Sequence, residues 1–134
     1  MGCPAKKIVG RLAGSALMKH PNHALRMIEA IVKSTDLPVT LKMRLGWDCS
    51  SINAPLIAQR AENVGIQMIT IHARTRDQFF RGEANWSSVK AVKEAVSIPV
   101  IVNGDIIDEH SAKEAIKKST ADGIMIGRGA IGKK

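Results

Sequence analysis

The sequence predicts an α/β fold of the (β/α)₈ TIM-barrel type, of which the chain's 134 residues supply about four βα units, a partial barrel. Four short, β-branched or apolar segments alternate with amphipathic helical patterns, and the strand starts fall roughly 24 to 31 residues apart, near the size of a βαβ unit. Alternation on this scale gives a parallel sheet with right-handed crossovers. A doubly wound sheet meets that description too, but every strand here delivers polar side chains at its C-terminal end. A barrel builds its site from several strands at that rim, whereas an open sheet concentrates binding at one switch point. The barrel is therefore preferred.

In chain order, a helical pattern over 22–34 places Leu25, Ile28, Ile31 and Val32 on one face. The first strand, 38–44, ends on Lys42 and Arg44. A helix over 56–64 follows Pro55, a good first-turn residue, and stops before Gly65. The second strand, 67–73, leads into His72 and Arg74. A helix over 86–96 turns Val89, Val92 and Val96 inward and its lysines outward. The third strand, 98–103, runs into Asn103 and Asp105. A helix over 108–118 opens with an acidic cap and closes on lysines, matching its dipole. The fourth strand, 123–126, is followed by Gly127 and Arg128. Four strands are half a barrel, so the first and last are open edges able to pair with another chain or copy.

Composition narrows the class. With 45% apolar and 24% charged residues the chain reads as globular, and no apolar run is long enough to cross a bilayer. No signal-peptide pattern is present, so an intracellular, cytoplasmic protein is expected. Cys3 and Cys49, with His20, His23, His72 and His110, form no spaced metal pattern. The net charge of +8 and pI near 9.9 favour an anionic partner, nucleic acid or phosphate, although a solubilising lysine surface gives the same total.

The strongest local signal is a pair of loops, Asn103-Gly104-Asp105-Ile106 and Gly127-Arg128-Gly129, each following a buried strand. Glycines there let backbone N–H groups approach a phosphate, and an arginine adds a forked contact. The loops after the last two strands of a barrel often form such a site; the plainer alternative is two tight turns. Lys42, in an otherwise apolar strand, needs an anionic partner or a lowered pKa if it points into the barrel mouth, and neither if it faces outward. His72 offers a ring that titrates near neutral pH or a structural contact. Arg74 and Arg76 bind phosphate or remain solvated. Cys3, beside Pro4, is a candidate reactive thiol, although a small buried cysteine is the commoner reading of the residue alone. Trp47 and Trp86 read as packing residues. Gln78-Phe79-Phe80-Arg81-Gly82 either stacks on a nucleobase or closes a loop over the core.

Together these motifs resemble the tRNA-dihydrouridine synthase family, in its bacterial form, over essentially the whole chain. The resemblance rests on Gly2-Cys3-Pro4, Leu12-Ala13-Gly14-Ser15-Ala16-Leu17, Val39-Thr40-Leu41-Lys42-Met43-Arg44-Leu45-Gly46-Trp47, His72-Ala73-Arg74-Thr75-Arg76, Asn103-Gly104-Asp105-Ile106 and Met125-Ile126-Gly127-Arg128-Gly129-Ala130. It implies a flavin oxidoreductase that uses bound FMN, recharged by NADPH, to reduce the C5=C6 bond of uridine in tRNA. By the same resemblance Cys3 is the general acid, and Lys42, His72, Asn103, Gly104, Asp105, Gly127 and Arg128 bind the flavin. Arg74 and Arg76 are candidates for tRNA contact. No metal and no membrane are implied. Against that pattern the four earlier strands and a C-terminal helical domain are absent, and the end Gly132-Lys133-Lys134 departs from the usual Gly-x-Pro-Trp. Residues 1–134 thus read as the C-terminal half of an FMN-binding barrel domain. Two alternatives stand beside this reading: another FMN-dependent barrel dehydrogenase, and a truncated, non-catalytic remnant.

Overall fold

A computed structural model describes residues 1–132; the terminal Lys133–Lys134 lie outside the described residues. The predicted alternation is present. The strands are β1 (Thr40–Arg44), β2 (Met68–His72), β3 (Val100–Asn103) and β4 (Gly123–Met125), all parallel and in the order β1-β2-β3-β4. The helices are α1 (Lys6–Val9), α2 (Pro21–Lys33), α3 (Ala54–Asn63), α4 (Lys90–Ala95) and α5 (Glu109–Ser119). Short 3₁₀ turns occupy Gly14–Lys19, Trp86–Val89 and Arg128–Ala130.

Side chains alternate across a strand, so the register sorts them into two faces. Leu41, Met43, Ile69, Ile71, Val100 and Val102 pack under the helices and are nearly or fully buried. Ile57, Ala58 and Ala61 of α3, Val92 of α4 and Ala115 of α5 complete this core. The opposite face carries two rows in register, Lys42–Thr70–Ile101–Gly123 and Arg44–His72–Asn103–Met125. In a closed barrel that face is the interior.

Local chemistry explains most element ends. Pro21 and Pro55 lie in the first turns of α2 and α3, where a missing N–H is harmless. Asp108 caps α5 by accepting from the Ser111 N–H at 2.7 Å, while the Ser111 hydroxyl meets the Asp108 N–H at 3.0 Å. The 86–96 helix is instead a 3₁₀ turn followed by the six residues of α4. The Asn85 side chain accepts from the Ser88 N–H and holds Trp86–Val89 as a tight turn. Ile31, expected on the inner face of α2, is 52% exposed. At 3.6 residues per turn it lies about 120° around the helix from Leu25, beyond the stripe of Leu25, Ile28 and Val32.

Candidate functional site

The polar row and the loops beyond it enclose a cavity of about 610 Å³ at the C-terminal rim of the sheet. Cys3, Lys42, His72, Arg74, Asn103, Gly104, Asp105, Gly127 and Arg128 all line it; of the sequence-predicted site residues only Arg76 lies elsewhere. Lys42 is on the open face of β1, and burial together with the Arg44 charge lowers its pKa. Arg44 enters the same cavity, as its position two residues further along the strand requires. It is 1% exposed, and desolvation, then Arg74, bring its pKa to about 10, so it remains charged at neutral pH. Lys42, Arg44, Arg74 and Arg128 therefore face a single cavity carboxylate, Asp105.

The two glycine-bearing loops touch. A side chain at Gly129 would bring its Cβ within 2.5 Å of the Ile106 carbonyl oxygen. Gly104 and Asp105 are both left-handed, at φ 116° and 55°. Glycine is required at 104, because a Cβ there would lie 2.9 Å from His72 Cδ2 and 3.0 Å from Ala84 Cβ. Asn103 donates from Nδ2 to the Met125 carbonyl at 2.8 Å and ties the loops together. Around Gly127 the nearest atom to an added Cβ is Asn103 Nδ2, at 3.8 Å, so the backbone there is open to a ligand.

Arg74, expected at a tRNA surface, is 2% exposed and fully committed. Its Nη2 donates to both Asp105 carboxylate oxygens (2.8 and 2.6 Å) and to the Gly82 carbonyl, and its Nε to the Arg81 carbonyl. The Ala84 N–H adds a third contact to Asp105, and these partners outweigh burial in holding its pKa low. Arg74 is thus a strut that fixes the 81–84 loop and Asp105. Arg76 is half-buried, its guanidinium 4.4 Å from the Trp47 ring and 5.0 Å from that of Phe79, with Lys19 on the Trp47 ring at 4.7 Å. Trp47 therefore does more than pack.

His72 corrects the expectation of a ring titrating near neutrality. Burial, then Arg44, Lys42 and Arg74, push its pKa down to about 3, against the weaker pull of Asp105. Its ring is neutral at working pH. Arg74 Nη1 lies 3.4 Å from His72 Nε2, and a guanidinium only donates, so Nε2 accepts and the ring proton belongs on Nδ1. Cys3 is exposed, against the commoner expectation of a buried cysteine, and faces the cavity. Sequence reasoning gave no role to Arg44 and left Phe80 open. The Phe80 ring lies between Arg44 (5.7 Å) and Arg128 (4.6 Å), with the His72 ring 6.2 Å away. Strand parity with Lys42 was the available signal for Arg44; Phe80 had none beyond being aromatic. Among the described residues, no group of three or more His, Cys, Asp or Glu could hold a metal, and no helix is long and apolar enough to span a membrane.

A four-stranded parallel βα array with a cationic, glycine-edged cavity at its strand C-termini has the architecture of a partial (β/α)₈ barrel. Its fold is similar to that of a mandelate oxidase variant, with a TM-score of 0.51 and 24% identity over 72% of this chain and 34% of the other. Residues 1–133 match the family model for dihydrouridine synthase, and the chain belongs to that family. It is 59% identical over 133 residues to a probable tRNA-dihydrouridine synthase of Rhizobium leguminosarum bv. phaseoli, covering 99% of this chain and 42% of that protein. It is 60% identical to the corresponding Rhodobacter capsulatus protein, covering 98% of this chain and 41% of that one. It is 53% identical to tRNA-dihydrouridine synthase B of Yersinia pestis, covering 99% and 41%. The chain spans about two-fifths of the length of these curated relatives. Membership in this family sets aside the alternative of an unrelated barrel dehydrogenase.

Proposed function

We propose that residues 1–134 are the C-terminal half of the FMN-binding barrel of a tRNA-dihydrouridine synthase, acting in the cytoplasm on tRNA. The observation that carries this reading is the convergence of Cys3, Lys42, His72 and the two glycine loops on one cavity rich in unneutralised positive charge. The cavity fits a flavin phosphate: a Cβ at Gly104 would meet His72, Gly127 is open, and Lys42 and Arg128 supply charge. Asn103, Gly104, Asp105, Gly127 and Arg128 would hold FMN at its phosphate end, and Lys42 and His72 at its ring system. When bound, FMN supplies the hydride for uridine C6 and is recharged by NADPH.

The chain's own residues do the rest. Cys3 transfers the proton from Sγ to C5, and the thiol is refilled from the solvent to which it is open. His72, neutral and protonated on Nδ1, has one N–H to offer a bound ligand without adding charge. Arg74 keeps Asp105 and the 81–84 loop in place and does not contact RNA. Arg76 and Lys19, stacked on Trp47 outside the cavity, are the candidates for tRNA phosphates. A uridine would have to leave its stack to reach the cavity.

The test supplies FMN, NADPH and tRNA lacking dihydrouridine, and reads the two-hydrogen mass gain of the target uridine. Product from the parent chain and at least about a hundredfold less from Cys3→Ala supports the reading. Equal product from both overturns Cys3 as the acid. A chain that binds FMN yet forms no product overturns the activity of this segment by itself.

A further inference from the structure

Arg44 is a buried cation without a counter-ion. None of the ion pairs among the described residues includes it. Arg74 and Arg76 repel it, and the one favourable electrostatic partner is Cys3, not a carboxylate. Burying an unpaired charge is unfavourable, so the guanidinium is retained for what its geometry does. Nε donates to the Gly2 carbonyl at 2.8 Å. Nη1 donates to the Thr75 carbonyl at 2.8 Å and to the Phe79 carbonyl at 2.9 Å. One planar group thus joins the residue before Cys3 to both ends of the Thr75–Phe79 segment, the second end lying directly before Phe80.

Cys3 is gripped from its other side. The carbonyl oxygen of Cys3 accepts from the Ser15 N–H at 3.0 Å and from the Ser15 hydroxyl at 2.8 Å, and Ser15 is fully buried. Gly14 lets the chain pass closely, since a Cβ there would lie 2.7 Å from the same oxygen. These contacts hold the backbone on either side of Cys3 and leave the thiol free.

We propose that Arg44 is a positioning residue that locks the Cys3 turn and the Thr75–Phe79 loop into one rigid unit, so that the thiol and the Phe80 wall keep a fixed separation across the cavity. Lysine cannot replace it, because an ammonium is a point donor and lacks the planar fork needed to reach carbonyls in two directions. The functional importance of this lock rests on the reading of Cys3 as proton donor; the lock itself does not.

The experiment places a nitroxide on Cys3 in a Cys49→Ser background and reads its rotational mobility by EPR. The expected result is slow motion in the parent and motion at least about threefold faster in Arg44→Met, Arg44→Lys and Ser15→Ala. A second nitroxide on α5, at Lys113→Cys with both native cysteines replaced by serine, reports whether the fold survives and should not change. Should Arg44→Met disturb α5, Arg44→Lys and Ser15→Ala carry the comparison. A Cys3 label as slow in Arg44→Lys as in the parent, with α5 intact, overturns the proposal. Dihydrouridine formed at the parental rate by Cys3→Ala would instead sink the proton-donor reading and leave the lock standing.

Discussion

The two faces of this sheet are built on opposite rules. Under the helices, β1 to β3 present Leu41, Met43, Ile69, Ile71, Val100 and Val102, with no polar side chain among them. On the other face, one residue along each strand, come Lys42, Arg44, His72 and Asn103, charged or hydrogen-bonded. The helix-facing side is where burial stabilises the fold. The open side holds unpaired cations and left-handed backbone that only a ligand or a strut such as Arg74 makes tolerable. Stability and chemistry are thus separated by a single step along each strand.

Substitutions on the two faces should therefore differ in kind. The largest effect is expected from Ile71→Ala. It empties a fully buried site under the helices and should lower unfolding free energy by about 3 kcal/mol in urea titrations, with FMN affinity of the folded fraction unchanged. Next comes Arg74→Met, which strands Asp105 and frees the 81–84 loop. A loss of about 2–3 kcal/mol is expected, this time with weakened FMN binding, because Asp105 belongs to the candidate phosphate loop. Equal FMN affinity in that variant would remove the strut role.

Acidification is expected to act mainly through the open face. The folded-state pKa of His72, about 3, lies below its unfolded value near 6.5, so between them the unfolded chain binds the extra proton. The contribution is intact above pH 6.5 and is lost as pH falls toward 3, at roughly 1 kcal/mol per unit. His72→Gln should flatten that slope in melts between pH 7 and 5, a range above the lowered Asp105 pKa. The smallest stability effect belongs to Lys42→Ala, within about 0.5 kcal/mol of the parent, because the side chain contributes little to the core. It should nevertheless weaken FMN binding about tenfold or more, reversing the pattern of Ile71→Ala.

The sequence carried the alternation, the strand positions and the two glycine loops because each is encoded locally, by β-branched runs, by capping residues such as Asp108 and by glycine. Nine of the ten predicted site residues meet in one cavity because strand parity and the rim rule act over short distances. What escaped was long-range. The strut role of Arg74 depends on Asp105, and the loss of His72 basicity depends on burial and on three cations, Arg44 and Lys42 of β1 and Arg74 just past β2. The hub formed by Arg44 needs carbonyls at positions 2, 75 and 79, whose convergence no local pattern announces.

The most direct measurement adds FMN to the purified chain and reads visible absorbance of the protein peak after gel filtration. Flavin that co-elutes with the parent chain, and is lost from Lys42→Ala and Gly104→Ala while their circular dichroism is unchanged, is the predicted result. A folded parent chain that emerges without flavin would contradict the assignment of this cavity as the FMN site.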